Sequence, residues 1–416
     1  MSKFIITGGR PLRGKINVSG AKNAALPIIA ATLLTRKPCT ITNVPRIGDV
    51  LVMLRILEKL GAQVEFKNHT LKICTRNVKS YKPDIKLVGQ LRASIVLLGA
   101  LLARFGKAQI HYPGGCLIGA RPLDTHLQAF KDLGAKIRSQ GKIYYFELKH
   151  PRKKKIILAE MSVTATENIL LACATSSDKN EIRLAACEPE IENLIDFLKK
   201  MGVKIKGKGT HNLEITGSSS LKSANIKIIP DRIEAATLVI LGAATKSQIE
   251  IGNVNLDHLD MFLNKAKEVG INLQTRKNSI IIKPSQKFNP VKIRTDVYPG
   301  FATDFQAPFA VLLTQAKGKS IIFETLFENR FGYIGELVKM GAKAKLNDLH
   351  RVEIYGPTKL RGTKINSLDL RAGATLVIAA LCAQGTSEIN NVEVIDRGYE
   401  ALDKRLSKLG AKIKRV

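Results

Sequence analysis

Apolar positions along the chain fall into two alternating kinds of helix. The first kind is amphipathic: Met53, Ile56, Leu57 and Leu60 stand at i, i+3, i+4 and i+7, one stripe of a helix surface. Gly61 follows where a left-handed residue ends a helix, and Val64 and Phe66 then alternate with polar residues, which predicts a strand. The same helix, glycine, strand signature returns at Leu133-Gly134-Ala135, Met201-Gly202-Val203, Val269-Gly270-Ile271, Met340-Gly341-Ala342 and Leu409-Gly410-Ala411. Its glycines lie 73, 68, 68, 71 and 69 residues apart, so the chain is built from six copies of a unit of about 70 residues. A polar turn and a second strand usually follow, at 70–74, 143–148, 213–216, 280–283 and 352–355.

The second kind of helix is apolar nearly all round and rich in small residues, which a globular protein tolerates only by burying it. Six segments qualify: 21–34, 91–103, 163–174, 233–244, 305–316 and 370–383, each with a strand after it. One unit therefore reads strand, buried helix, strand, exposed helix, strand, strand. Three units around their three buried helices close a domain, and six make two, with a seam near Ile228-Ile229-Pro230. A solenoid fits poorly, because such helices need sheet around them. The strand at 4–7 is compatible with either domain.

Composition narrows the class. At 416 residues the chain has room for two or three domains with sizeable cores, and 45% hydrophobic with 24% charged residues is ordinary for a folded protein. The charge is less ordinary: 66 Lys and Arg against 35 Asp and Glu leave +31, which favours anionic partners. The lysines are spread along the whole chain, so general surface decoration accounts for them better than a nucleic-acid footprint does. With no Trp and no clustered Phe or Tyr, the sequence offers no stacking platform. Cysteines at 39, 74, 116, 173, 187 and 382 form no Cys-x-x-Cys pair, and the seven histidines have no zinc-type spacing, so neither disulfide nor metal is expected. The N-terminus lacks a signal-peptide pattern and the apolar stretch 24–34 is too short to span a bilayer, giving a reduced, cytosolic protein as the expectation.

Candidate chemistry gathers at the starts of the buried helices. A helix N-terminus presents free N–H groups and positive partial charge, so it attracts anions. The residues there are Lys22 and Asn23, Arg92, Ser162 and Thr164, Asp231 and Arg232, Thr303 and Asp304, and Asp369 and Arg371. Asp231 and Asp369 read as ordinary N-caps. Capping does not explain Lys22, Arg92, Arg232 and Arg371, since a cation at that end needs an anion beside it. The segment from Tyr112 to Asp124 adds three glycines and two prolines around Cys116, the irregular kind of backbone that often carries function. Cys116, five residues from Arg121, is a candidate acid or nucleophile; the other cysteines read as small buried apolar residues. Gly318-Lys319-Ser320 ends like a phosphate-binding loop but Leu313 replaces its first glycine, and no dinucleotide or hydrolase signature appears. Glu188-Pro189-Glu190 and Phe327-Glu328-Asn329-Arg330 fall in loops after strands, as substrate contacts or as bridges between repeats.

The segments Gly20-Ala21-Lys22-Asn23-Ala24-Ala25-Leu26-Pro27, Pro113 to Pro122 with Cys116, Glu188-Pro189-Glu190, Phe327-Glu328-Asn329-Arg330 and Ile395-Asp396-Arg397-Gly398-Tyr399-Glu400 together resemble the UDP-N-acetylglucosamine 1-carboxyvinyltransferases. These are the enolpyruvyl transferases that open bacterial peptidoglycan synthesis. The likeness runs in order from Phe4 to Val416. It implies an α/β fold of two inside-out α/β barrel domains, three repeats each. The first would span 22–229 and the second 1–21 with 230–416, with the active-site cleft between them. It further implies a cytoplasmic transferase, a monomer, tied to cell-wall biogenesis, cell shape and division, with no cofactor, metal, membrane or specific nucleic-acid partner.

The implied reaction moves the enolpyruvyl group of phosphoenolpyruvate onto the 3′-hydroxyl of UDP-N-acetylglucosamine and releases phosphate. By position, Lys22, Arg121 and Arg397 would hold phosphoenolpyruvate, with Arg92 and Arg371 beside them. Asn23, Pro122, Leu123, Asp124, Thr125, Ser162, Val163 and Leu326 would contact the nucleotide sugar. Cys116 matches the family's proton donor, able also to add covalently to phosphoenolpyruvate and to be alkylated by fosfomycin, and Asp304 matches its base. Many relatives carry a basic residue near the third buried helix and Gly at 164, where this chain has Glu160, Met161 and Thr164. The family's Phe-Pro-Thr-Asp is Phe301-Ala302-Thr303-Asp304 here. The rivals are the sister transferase acting on shikimate 3-phosphate, disfavoured by the cysteine loop and by Ala21-Lys22-Asn23-Ala24, a nucleic-acid-binding repeat protein, and an inactive relative that only binds ligand.

Overall fold

The computed structural model describes every residue except 1, 115–118, 120, 121, 150 and 152–154. Its described helices are α1 (Lys22–Ala31), α2 (Gly48–Leu60), α3 (Ile85–Val88), α4 (Leu97–Phe105), α5 (Asp124–Asp132), α6 (Val163–Cys173), α7 (Pro189–Met201), α8 (Arg232–Ala244), α9 (Asp260–Val269), α10 (Thr303–Leu313), α11 (Gly332–Lys339), α12 (Leu370–Cys382) and α13 (Leu402–Ser407). Leaving α3 aside, they alternate between buried and peripheral. Every residue of α8 is buried, whereas α7 and α9 bury one face only, the two environments the apolar patterns require. All six repeat glycines have positive φ, between +90° and +107°, the left-handed conformation that glycine adopts without steric cost.

The described residues fall into two compact units, one of 2–19, 119 and 230–416, the other of 20–114 and 122–229. Each has its own core: Ile28, Leu98 and Leu170 are completely buried in one, Val239, Val311 and Leu376 in the other. Six sheets carry the described strands, three per unit. In a complete repeat, the strand before the buried helix pairs in parallel with the strand after it, as Lys155–Ile157 does with Lys179–Arg183 around α6. The hairpin that follows adds antiparallel strands, here Asn212–Thr216 and Lys204–Lys206.

Two repeats depart from the unit read off the sequence. Arg13–Asn17 precedes α1, yet it pairs with Gln248–Gly252, the strand after α8. Asn225–Lys227 precedes α8, yet it pairs with Cys39–Thr42, the strand after α1. The first and fourth repeats have thus exchanged entry strands, which is why both 2–19 and the segment from 230 belong to one unit. Lys3–Thr7 joins that unit too, lying between Thr386–Asn390 and Lys412–Arg415. The second repeat has no entry strand among the described residues. Pro83 denies a ladder N–H, and the Asp84 side chain accepts from Leu87 N–H (3.0 Å) to start α3 instead.

Small residues let the buried helices approach closely. A Cβ on Gly99 in α4 would stand 2.2 Å from the backbone oxygen of Asn168 in α6, and the Gly99 N–H donates to the Asn168 side-chain oxygen at 2.8 Å. Backbone atoms on both sides leave nothing to rotate away. Gly99→Ala is expected to cost about 1–3 kcal/mol, at the upper end of that range, in urea unfolding; an unchanged midpoint would show that α4 and α6 can separate freely.

Candidate active site

In the unit formed by 20–229, four helix starts carry the residues singled out above. Lys22 and Asn23 open α1, whose first turn has no acidic residue and whose N-cap position, Ala21, makes no side-chain cap bond. The Lys22 Nζ donates to Asp49 Oδ2 at 3.2 Å, and both side chains are nearly buried. The anion demanded beside this cation is therefore supplied at least in part by the chain itself, from the first turn of α2. Arg92 opens a short 3-10 turn, stacks over the Tyr112 ring at 5.5 Å and donates to the Pro113 carbonyl at 3.5 Å. The thiol of Cys116 and the guanidinium of Arg121 lie outside the described residues.

Pro122, Leu123, Asp124 and Thr125 lead into α5, and Ser162 and Val163 into α6, where the Ser162 hydroxyl accepts from Ala165 N–H at 3.4 Å. The two starts are tied by side chains. Thr125 Oγ1 donates to Glu160 Oε1 (3.1 Å), and His126 Nε2 meets Thr164 Oγ1 (3.1 Å). Asn168 fixes the imidazole's tautomer. Its oxygen accepts from Gly99 N–H, so its amide nitrogen donates both to the Ile95 carbonyl and to His126 Nδ1, leaving the His126 proton on Nε2. The unusual Glu160 and Thr164 thus have partners on α5, and neither distorts the start of α6.

In the other unit, Asp304 sits in the first turn of α10 between two guanidinium groups. Arg330 Nη2 donates to Asp304 Oδ1 at 2.7 Å and Arg371 Nε donates to the same oxygen at 3.2 Å. Both arginine side chains are 6% exposed, against 26% for Asp304. Arg371 Nη1 is buried with no hydrogen-bond partner among the described residues, while the guanidinium lies 5.3 Å over the Tyr399 ring. Burial opposes the charge of Arg371, but Tyr399, Asp304 and Asp231 hold its pKa above the ordinary value, so it stays cationic. Arg232 is sandwiched between Tyr298 (5.3 Å) and Phe305 (5.8 Å). Arg397 ends a 3-10 turn in the same unit, and Leu326 is an exposed apolar residue on the loop after the strand Gly318–Phe323.

Asp231 accepts from Ile233 N–H and Glu234 N–H, and Asp369 from Arg371 N–H and Ala372 N–H, so both are the N-caps expected. Glu188 and Glu190 begin α7 around Pro189, Glu190 buried, a placement that suits the helix dipole. No described cysteine is in a disulfide; burial pushes the Cys173 and Cys382 thiols up to about 12, so both stay protonated and inert. No group of three or more metal-type ligands occurs among the described residues, and no described helix is long and apolar enough to cross a membrane. Arg330 belongs to the Phe-Glu-Asn-Arg segment already singled out as a substrate contact or a bridge. Asp49 had no role assigned from the sequence, and nothing local marked it.

A family model described as EPSP synthase (3-phosphoshikimate 1-carboxyvinyltransferase) matches residues 6–406. Among curated relatives, the UDP-N-acetylglucosamine 1-carboxyvinyltransferase of Halothermothrix orenii is 45% identical over 416 residues, all of both chains. That of Helicobacter acinonychis is 44% identical over 415 residues, 99% of this chain and 98% of the relative. Among solved structures, the enolpyruvyl transferase NikO from Streptomyces tendae superposes with a TM-score of 0.91 at 24% identity, covering 100% of this chain and 99% of that one. An EPSP synthase from Acinetobacter baumannii gives 0.75 at 17% identity, covering 100% of each. These two establish the fold alone; the full-length identity to the curated relatives goes further, and by it the chain belongs to the UDP-N-acetylglucosamine 1-carboxyvinyltransferase family of enolpyruvyl transferases.

Proposed function

We infer that the protein transfers the enolpyruvyl group of phosphoenolpyruvate to the 3′-hydroxyl of UDP-N-acetylglucosamine and releases phosphate, the first committed step of peptidoglycan precursor synthesis. The observation that carries this reading is the pair of guanidinium groups around Asp304. Arg371 Nη1 is a buried cationic donor with no hydrogen-bond partner among the described residues, and an anionic substrate would satisfy it. Two arginines beside a carboxylate also suit a reaction that moves a proton and an anion at one place.

In this mechanism the hydroxyl oxygen of the sugar attacks C2 of phosphoenolpyruvate while a proton is delivered to its C3 methylene. Cys116 is the proposed proton donor, and Asp304 accepts the hydroxyl proton. The C2–O bond to phosphate then breaks, and a proton leaves the new methyl group to restore the enol ether. Lys22, Arg92, Arg121, Arg371 and Arg397 bind phosphoenolpyruvate and stabilise the leaving phosphate, with fixed charges already in place before reaction. The Lys22 ammonium is aimed by Asp49, and Arg330 holds Asp304 in place through its Oδ1. Asn23, Pro122, Leu123, Asp124, Thr125, Ser162, Val163 and Leu326 form the nucleotide-sugar site. The reading takes the protein as a cytoplasmic monomer needing no metal, membrane or nucleic acid; the +31 charge would then produce only salt-sensitive, nonspecific polyanion binding.

The test is phosphate release from phosphoenolpyruvate with UDP-N-acetylglucosamine, with shikimate 3-phosphate, and with no acceptor, beside a Cys116→Ala control. Release with the nucleotide sugar alone, lost in the control and lost after fosfomycin treatment with a matching mass gain on the Cys116 peptide, is the expected result. Release with shikimate 3-phosphate, or none with any acceptor, would overturn the assignment.

A further inference from the structure

A buried carboxylate in the unit formed by 2–19 and 230–416 has no assigned role. Glu324 follows the strand Gly318–Phe323, is completely buried, and takes part in no ion pair among the described residues. Such a charge is tolerable only if donors surround it. Four do. Oε1 accepts from Leu326 N–H (2.9 Å), Phe327 N–H (3.3 Å) and Thr295 Oγ1 (3.1 Å), while Oε2 accepts from Thr303 Oγ1 at 2.7 Å. The turn is further fixed by Thr325, whose N–H donates to Thr295 Oγ1 and whose hydroxyl donates to the Thr295 carbonyl.

The donors come from two places that the reaction would have to keep in register. Leu326 belongs to the proposed nucleotide-sugar site, and Thr303 is the first residue of α10, directly before Asp304. The N-cap position of α10, Ala302, makes no side-chain cap bond, so the Thr303 to Glu324 hydrogen bond, beside the Asp304 ion pairs with Arg330 and Arg371, ties down this helix start. An extended backbone at Ala302 without proline's restricted φ leaves that start more dependent on the tie.

We propose that Glu324 is a positioning residue for the transfer reaction: one buried carboxylate fixes the start of α10, and with it Asp304, relative to the turn that carries Leu326. It touches no substrate and acts through Thr303 and the Leu326 and Phe327 amides. The proposal rests on the enolpyruvyl-transfer reading.

Thr303→Val removes only the Oε2 tie with an almost unchanged shape. It is expected to lower kcat about tenfold or more while both KM values stay within about twofold, since about 1 Å of misplacement at a reacting group costs up to about a hundredfold. Thr303→Ser, which keeps the hydroxyl, is expected to restore turnover to within about threefold. Glu324→Gln retains an oxygen for the three donors on Oε1 and turns the fourth bond round, its amide donating to Thr303 Oγ1, and is expected to stay within about threefold as well. Glu324→Ala loses both anchors, and is expected to raise the KM for UDP-N-acetylglucosamine in addition to lowering kcat. Thermal unfolding of Thr303→Val completes the set, so that a folding defect is recognised even if Glu324→Ala does not fold. A Thr303→Val enzyme with wild-type kcat, or one in which kcat, both KM values and Tm deteriorate together, would overturn the positioning role while leaving the assigned reaction intact. Wild-type enzyme inert with UDP-N-acetylglucosamine would instead remove the reaction, and this role with it.

Discussion

Asp304→Asn is expected to lower kcat by about two to four orders of magnitude, the range that a positioned general base contributes. The substitution keeps the shape of the side chain and its place in the first turn of α10, but an amide cannot take the hydroxyl proton. It also leaves two guanidinium groups, each 6% exposed, facing a neutral neighbour, so the added cost in stability is about 1–3 kcal/mol for the lost charged hydrogen bonds. The 26% exposure of Asp304 keeps that cost below what a fully buried pair would show. The two effects separate in measurement, because the stability loss appears in urea unfolding and leaves the folded enzyme's kcat untouched. Asp304→Glu retains the carboxylate and displaces it by one methylene, so its kcat is expected to lie between the two. An Asn variant turning over within tenfold of wild type would mean that another group accepts the proton and that Asp304 serves only to hold Arg330 and Arg371.

How far the sequence could be read depended on whether a feature was local. The glycine after each peripheral helix stands where only a left-handed residue ends the turn, so Gly61, Gly134, Gly202, Gly270, Gly341 and Gly410 announced the repeat by their chemistry. Polar residues at the ends of otherwise apolar helices were equally visible, and Lys22, Asp304 and Arg371 were found that way. The exchange of entry strands was not visible. Arg13–Asn17 and Asn225–Lys227 are short strands with few inward-facing residues, and which sheet they join is decided by pairing partners more than 180 residues away. Asp49 and Glu324 were hidden at shorter range, by partners 21 to 29 residues away on elements that meet only in the fold. Glu324 resembled any polar residue at a strand end; its burial and its four donors distinguish it. Glu160 and Thr164, which differ from many relatives, pair with Thr125 and His126 on α5, partners that nothing in the local sequence marks.

A last expectation concerns stability and pH. Glu167 lies within the buried helix α6 and is 2% exposed. Burial raises its pKa well above the ordinary carboxylate value, and the negative charges of Glu190 and Glu188 push it the same way. The folded protein therefore keeps a proton on this group after the unfolded chain has released its own. Between the unfolded pKa, near 4.5, and the folded one, the folded state binds more protons, so stability falls as pH rises. Each pH unit in that window costs about 1.4 kcal/mol. Glu167→Gln carries no titrating group at the same shape, so its stability relative to wild type is expected to increase at that slope above about pH 4.5 and to level off at the folded pKa. Urea unfolding of both proteins between pH 4 and 8 follows the difference directly, and the pH at which it stops growing gives the folded pKa. A constant difference across the range would mean that Glu167 ionises normally inside the helix, and that the three carboxylates around the start of α7 are better neutralised than burial and mutual repulsion allow.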